Sequence, residues 1–328
     1  MDRLRIATRR SPLALAQTRW VGERVRAHAP GIEIEEVQLV TQGDRVLDVP
    51  LAKVGGKGLF VTEVEAALTD GRADIAVHSM KDVPEALADG MDMVCIPERE
   101  DPHDVIVTRD GGGIFDLVAG ARVGTSSLRR AVQLRAARND LAFQVLRGNV
   151  GTRLRKLDEG EHDAIVLAAA GLRRLGLAAD RALVTLGIDV SIPAVGQGAL
   201  GIEGRAGDPR IAALLAPLEH APTRIAVEAE RSFLKRLHGS CTTPLAGHAR
   251  IEDGSLLMDG MIGAIDGSRV VRASLQAWIG DPTASAETIV LARTLGRDLA
   301  DQLLAEGAQE IIDEARAAAD PYAALYSR

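Results

Sequence analysis

The 328-residue sequence predicts two α/β lobes followed by a small α+β domain. Three observations lead there. Short apolar runs such as Leu4–Ala7, Ile75–Val77, Phe143–Leu146 and Ala164–Ala168 alternate with helix-period segments, the pattern of a sheet covered by helices. A faint internal echo suggests two related halves. Arg5-Ile-Ala-Thr8, with Ser11 and Gln17 after it, resembles Arg122-Val-Gly-Thr125 with Ser127 and Gln133, and Asp74-Ile-Ala-Val77 resembles Asp163-Ala-Ile-Val166. After Pro244 the pattern changes to three strands with Asp253-Gly254 and Asp266-Gly267 at the turns, then helices.

In chain order, the strand at Leu4–Ala7 runs into Thr8-Arg9-Arg10-Ser11-Pro12, where Ser11 suits an N-cap and Pro12 a first helical position. The helix so opened extends to about His28, and its free N–H groups beside Arg9 form a potential anion site. Glu33–Val40 reads as a second strand. Residues 45–58 hold Lys53-Val-Gly-Gly-Lys57-Gly, a flexible cationic loop suited to a lid. It is no P-loop, because glycine follows Lys57 where Ser or Thr is needed. Thr62-Glu-Val-Glu65 reads as a capping box opening a helix to Asp70. The strand at Ile75–Val77 then leads to Lys81 and Asp82 before Pro84. In an open α/β sheet, ligands bind just past the carboxyl ends of strands, and Lys81 and Asp82 stand at that point.

The charged stretch 98–104, with Pro97 and Pro102, reads as a crossing into a second lobe. Three strand–loop–helix units follow. They carry Thr125-Ser126-Ser127 with Arg129 and Arg130, then Arg147-Gly148-Asn149 with Arg153, then Arg173 and Arg174. Each aims cations and a helix N-terminus at the carboxyl edge of one sheet, which points to an anion-binding cleft. Ile192–Gly201 contains a literal GxGxxG, but Gly204, Gly207 and Pro209 keep a helix from following at once. It reads as the return crossing. Pro222–His238 is an amphipathic helix ended by Gly239, and Cys241 lies in the loop after it.

Composition narrows the function. Net charge is −7 and aromatics are 2%, which argues against nucleic acid as a partner. The charge is uneven, with twelve basic and six acidic residues between Ala121 and Arg181. A basic middle within an acidic chain suggests a discrete anion site. No run is long enough to span a bilayer, and Met1-Asp2-Arg3-Leu4 enters a strand with no signal-peptide core, so a cytoplasmic protein is expected. Two cysteines, Cys95 and Cys241, make neither a disulfide framework nor a metal site, and the seven histidines show no ligand spacing. Cys95 lies in an apolar run and reads as inert core. A substrate with several carboxylates would explain the arginines, because guanidinium binds carboxylate in a bidentate fork. Cys241 could carry a covalent group or be a bystander thiol.

These motifs resemble the porphobilinogen deaminase (hydroxymethylbilane synthase) family. The matching stretches are Arg5-Ile-Ala-Thr-Arg9 with Ser11-Pro-Leu-Ala14, Leu51 to Phe60, Asp74 to Pro84, Val123 to Arg130, Leu146 to Arg153, Pro193 to Gly198, and the Cys241 loop. They run in family order over residues 4–250. The resemblance implies two lobes like type II periplasmic binding proteins around a cleft, with a small α+β C-terminal domain. Domain 1 would be 1–97 with 198–217, domain 2 102–193 and domain 3 220–320. It implies a dipyrromethane cofactor bound by a thioether at Cys241. Four porphobilinogen units would be added head to tail with loss of ammonia, and hydrolysis would release hydroxymethylbilane. Asp82 would be the catalytic group. Cofactor contacts would come from Lys81, Asp82, Thr125, Ser126, Ser127, Arg129, Arg130, Arg147, Gly148 and Arg153. Substrate contacts would come from Arg9, Ser11, Arg147, Arg153, Arg174 and Gln197, under a lid carrying Lys53, Lys57 and Phe60. The expected partner is a small molecule, with no nucleic acid, no membrane and no metal, acting on a monomer.

One departure is visible. The family's usual Gly-Gly-Cys is Gly239-Ser240-Cys241 here, with the thiol retained. The rival reading from the residues is a non-catalytic two-lobed binding protein for a small anion, which would need neither Cys241 nor Asp82. A second rival, an NAD-dependent enzyme, would rest on Gly196–Gly201.

Overall fold

The computed structural model describes residues 2–41, 61–179, 181–239 and 243–318. Lys53, Lys57, Phe60 and Cys241 lie outside them. The chain divides into two compact units, Met1–Glu100 with Gly198–Arg224, and Asp101–Gln197 with Ile225–Arg328.

The first unit is lobe 1. Its sheet is built from β1 (Arg3–Arg9), β2 (Glu33–Leu39), β3 (Ile75–Ser79), β4 (Met91–Cys95) and β10 (Leu200–Arg205), in the order β2-β1-β3-β10-β4. The first three are parallel, and β10 runs antiparallel to both of its neighbours. Helix α1 (Pro12–His28) starts as expected, with Ser11 Oγ accepting from Ala14 N at 3.2 Å and Pro12 at its head. One face of the sheet buries Leu4, Ile6, Ile75, Val77 and Ile202 with Val21 and Val25 of α1. The other buries Ala7 and Ala76 against Val64, Ala67 and Leu68 of α2 (Thr62–Thr69).

The expected capping box of α2 does not form. Thr62 is already helical, the cap position is Val61, and no side chain caps it. Glu65 is instead drawn to the loop after Asp82, where its Oε1 accepts from Ala88 N at 2.8 Å. The sequence reading missed β4, β10 and the helix α6 (Pro209–Leu215). Strand β10 follows a glycine-rich turn with no alternating pattern. Its Gly201 is required because a Cβ there would run into the sulfurs of Met80 and Met93.

The second unit holds lobe 2 and the C-terminal domain. Lobe 2 has β5 (Asp104–Thr108), β6 (Arg122–Gly124), β7 (Ala142–Gln144), β8 (Ala164–Ala168) and β9 (Leu183–Thr185), ordered β7-β6-β8-β5-β9. This is the lobe 1 order position for position, with β5 as the antiparallel fourth strand. The sequence echo is therefore structural. Arg5 N donates to Asp74 Oδ2 at 2.9 Å, and its guanidinium donates to Asp74 at 3.1 and 2.8 Å. Arg122 repeats the pattern on Asp163 at 2.8, 3.1 and 2.8 Å. In both lobes the latch ties the first parallel strand to the third. The Arg122 hydrogen bonds hold the Asp163 carboxyl down at about 2.

Helices α3 (Leu128–Ala137), α4 (Val150–Asp158) and α5 (Ala169–Arg174) follow β6, β7 and β8. In the C-terminal domain, β11 (Leu245–Glu252), β12 (Ser255–Gly263) and β13 (Val270–Trp278) form an antiparallel sheet in sequence order. The Asp253-Gly254 turn has positive φ at both residues, 46° and 75°, as a two-residue hairpin needs. Helices α7 (Ala221–Arg236), α8 (Ala286–Leu303) and α9 (Gln309–Ala317) complete the domain, with Phe233 of α7 at its centre. Phe233 fits a slot left by Gly247 and Gly260, where a Cβ would come within 2.9 Å of its ring. The domain packs on lobe 2 through Val132, Ile192, Ala246 and Met261. Among the described residues, no helix is long and apolar enough to cross a membrane.

Gly296 of α8 lies directly against the Ala229 carbonyl of α7, so an added Cβ meets backbone that cannot turn aside. Gly296→Ala is expected to cost about 1–3 kcal/mol in urea unfolding, the usual penalty for overpacking. Wild-type stability would show that the two helices are not held this closely.

Candidate active site

In lobe 1 the functional residues gather where β1 and β3 end. Beyond Ser79 the chain makes a single 3₁₀ turn, Met80–Asp82. Met80 is buried and its N–H donates to Ala199 O at 3.0 Å, while Val83 N closes the turn onto Met80 O at 3.2 Å. The apolar residue anchors the turn, and Lys81 and Asp82 are left exposed. Asp82 lines a pocket with Arg9, Ser11, Gln17, His78 and Ser79. Gln17 reaches across from α1 and donates to Ser79 Oγ at 2.8 Å, which fixes the floor. The pocket thus combines a helix N-terminus, an arginine and a carboxylate, suited to an anionic molecule that develops positive charge.

In lobe 2, Arg147 and Arg153 are half-buried. Arg147 leaves β7 just before Gly148, whose φ of 110° suits only glycine. Asn149 caps α4 by accepting from Thr152 N at 2.9 Å, and Arg153 Nε donates to Gly148 O at 2.8 Å. Neither Arg147 nor Arg153 meets a carboxylate among the described residues. Arg153 is instead pushed down to about 10 by burial and by the neighbouring charge of Arg130. Cations held together without a counter-ion make an anion site.

Arg129 and Arg130, expected at the cofactor, are tied to a buried acid. Both are buried and converge on Asp104, which is fully buried at the head of β5. Arg129 Nη1 and Nη2 donate to Asp104 at 2.7 and 3.1 Å, and Arg130 Nε donates at 2.9 Å. Ser191 Oγ and Gln197 Nε2 complete the shell at 2.8 and 2.9 Å. Burial pushes the Asp104 carboxyl up, but the two guanidiniums outweigh it and hold it well below the usual carboxylate range. Gln197, expected to touch substrate, belongs to this hub and also donates to Pro102 O at 2.7 Å. The Thr125-Ser126-Ser127 hydroxyls are likewise engaged. Thr125 Oγ1 accepts from Ser127 N at 3.1 Å, Ser126 Oγ donates to Leu146 O, and Ser127 Oγ caps α3 by accepting from Arg130 N at 3.4 Å. Arg174 is half-buried, and its neighbour Arg173 pairs with Asp101 at 2.9 Å. Sequence reasoning missed Asp104. Its signal was an acidic residue heading the apolar run Val105–Val107. The GxGxxG opens a strand, β10, and no helix, so it has no dinucleotide geometry.

These features define an α/β protein with a carboxylate beside an arginine and a helix N-terminus in one lobe and a group of half-buried cations in the other. A family model described as "Porphobilinogen deaminase, dipyromethane cofactor binding domain" matches residues 4–213, and "Porphobilinogen deaminase, C-terminal domain" matches 224–305. The chain belongs to the porphobilinogen deaminase family. A curated porphobilinogen deaminase of Syntrophotalea carbinolica is 52% identical over 309 residues, 94% of this chain and 95% of that one. Similar solved structures include the probable amino-acid ABC transporter extracellular-binding protein ytmK of Bacillus subtilis, at 12% identity and TM-score 0.40, covering 66% of this chain and 90% of that one. The periplasmic aliphatic sulphonate binding protein SsuA of Escherichia coli matches at 13% and 0.38, covering 74% and 72%. At those scores neither bears on function.

Removing Asp104 leaves two buried guanidiniums facing each other. Asp104→Ala is expected to cost roughly 3–5 kcal/mol in chemical unfolding, as for any broken buried ion pair. A loss below about 1 kcal/mol, typical of an exposed pair, would contradict the hub.

Proposed function

We propose that this chain performs its family's reaction with Asp82 at the reacting pyrrole, Arg147 and Arg153 on carboxylates, and Cys241 as the cofactor's attachment point. As a member of the family it is a transferase. It condenses four porphobilinogen molecules head to tail with loss of ammonia and releases hydroxymethylbilane by hydrolysis, using a dipyrromethane cofactor. The observation that carries the residue assignment is Arg153, a cation lowered by burial and by the charge of Arg130, with no carboxylate beside it among the described residues. Each pyrrole of the substrate brings an acetate and a propionate, the ligands that such a pair lacks.

The residues present fit the cofactor for the same reason. Arg147 and Arg153 would hold its carboxylates, and Arg130 adds its charge to theirs. When bound, the cofactor supplies the pyrrole carbon from which the chain grows. Arg129 and Arg130 are assigned a positioning role through Asp104. Cys95 is fully buried, and burial pushes its thiol up, so it is protected from reaction. That leaves Cys241 as the thiol for a thioether. Arg9, Ser11 and the α1 N-terminus are assigned to a substrate carboxylate, with Lys81 and Arg174 as further cations. Loss of ammonia leaves an azafulvenium cation on the substrate, and Asp82 accepts its pyrrole N–H and stabilises the charge. A cytoplasmic location and a monomer belong to the same reading.

Asp82→Asn should lower turnover by about 10²-fold or more while the fold and the covalent adduct persist, since an amide keeps the shape and removes the charge. Near-normal turnover would refute the role. Intact mass of denatured protein should show an adduct of two linked pyrroles, absent in Cys241→Ser; a bare polypeptide in active enzyme would exclude the attachment. Arg147→Ala and Arg153→Ala should each impair cofactor assembly or elongation, visible as missing adduct or shortened product chains. Full activity in both would remove the anion site from the mechanism.

A further inference from the structure

The pocket around Asp82 has one wall that the reading above leaves unused. His78, two residues inside the end of β3, is 9% exposed and lines the pocket with Asp82, Arg9 and Ser11. Its Nε2 is hydrogen-bonded to Glu203 Oε2 at 2.8 Å, and opposite an ionised Glu203 the ring nitrogen is the donor. Glu203 comes from β10, registered opposite Ala76, so it shares a sheet face with His78 on the neighbouring strand. It is fully buried, and its Oε1 has no partner among the described residues. A carboxylate can only accept, so the proton of the neutral ring sits on Nε2 and the lone pair on Nδ1. Nδ1 has no hydrogen-bond partner among the described residues, in a side chain that lines the pocket. A histidine oriented by a buried carboxylate, with its second nitrogen open to a site, has the arrangement of a general base.

The chemistry calls for such a group. Porphobilinogen's aminomethyl group, protonated as ammonium, leaves as ammonia with the C–N bonding pair, giving the azafulvenium. The free α-carbon of the pyrrole added before it attacks the methylene, and a C–C bond replaces the C–N bond. The attacking carbon must then lose its hydrogen as a proton to regain aromaticity. Asp82 is needed as an anion while the cation persists, and a second group that accepts the proton leaves that anion in place throughout.

We propose that His78 is this acceptor, with Glu203 as the positioning residue that sets its tautomer and stabilises the imidazolium. The proton then passes to the departed ammonia as ammonium, which returns His78 to its neutral form. Atoms and charge balance, since one pyrrole C–H proton ends on nitrogen at each addition. Besides Glu203, the charged groups around the ring are Arg9 and Asp82 in the pocket and Glu65 of α2. Burial, with the Glu203 charge adding to it, raises Glu65. The inference rests on the assignment of the chemistry to the Asp82 pocket.

The test uses full-length holoenzyme and three readouts. In His78→Ala the melting temperature and the covalent adduct should be retained, kcat should fall roughly 10²-fold, and KM should stay within about twofold. Added imidazole should restore part of kcat. Porphobilinogen deuterated at its free α-carbon should show a primary isotope effect in His78→Ala that is smaller in wild type. Independently of activity, ¹⁵N NMR of the resting enzyme should show His78 as a single Nε2–H tautomer, and Glu203→Gln should disturb it. Wild-type kcat in His78→Ala, a loss with neither isotope effect nor imidazole rescue, or an Nδ1–H tautomer would each overturn the proposal. If Asp82→Asn also turned over normally, the pocket itself would be misassigned; if only the His78 results failed, the pocket assignment would stand.

Discussion

One buried carboxylate organises lobe 2. Asp104 is the first residue of the strand that returns antiparallel through the sheet, and it gathers two guanidiniums, a serine hydroxyl and a glutamine amide. Isolated in a protein interior, a carboxylate or an arginine is prohibitively costly, and each is tolerable only because the other is there. Two arginines against one aspartate leave one positive charge over. Arg153 feels it, which is why burial and Arg130 together lower that residue. The hub is therefore both a structural pin and the source of the excess charge at the anion site.

The same economy appears in the two sheets. Arg5 on Asp74 and Arg122 on Asp163 use the same atoms at nearly the same distances, each joining the first and third strands of its lobe. The lobes have since diverged in what they offer. Lobe 1 presents the carboxylate of Asp82 beside a capped helix, while lobe 2 presents Arg147 and Arg153, which meet no carboxylate among the described residues. On the proposed assignment, one repeated frame is divided into a reacting half and a holding half, for a substrate that is gripped by its acids and activated at its ring.

Much of this was legible in the residues. Ser11-Pro12, the apolar run of β3 and the Asp253-Gly254 hairpin carry local signals strong enough to survive tertiary packing. Strand β10 was hidden because its pairing partners are more than a hundred residues away and its glycines answer to neighbours on or just after those strands, Gly201 to Met80 and Met93 and Gly204 to Val94, not to any period. The capping box at Thr62 failed for a related reason, since Glu65 had a better partner in Ala88. Lys81 and Asp82 in one lobe and Arg147 and Arg153 in the other were singled out from their positions after strands, and their roles stand as proposals. The burial of Arg129, Arg130 and Gln197 was not readable, because it depends on Asp104, whose role appears only when two distant crossings meet.

The placement of β10 bears on how the polypeptide acquires its shape as it is made. It lies between β3 and β4, so lobe 1 is an incomplete sheet with two facing open edges until residues 200–205 emerge. Lobe 2 draws its five strands from one continuous stretch and can close first. The N-terminal half of this protein must wait, edges exposed, for the half that follows it on the ribosome, which makes that interval the period of greatest aggregation risk.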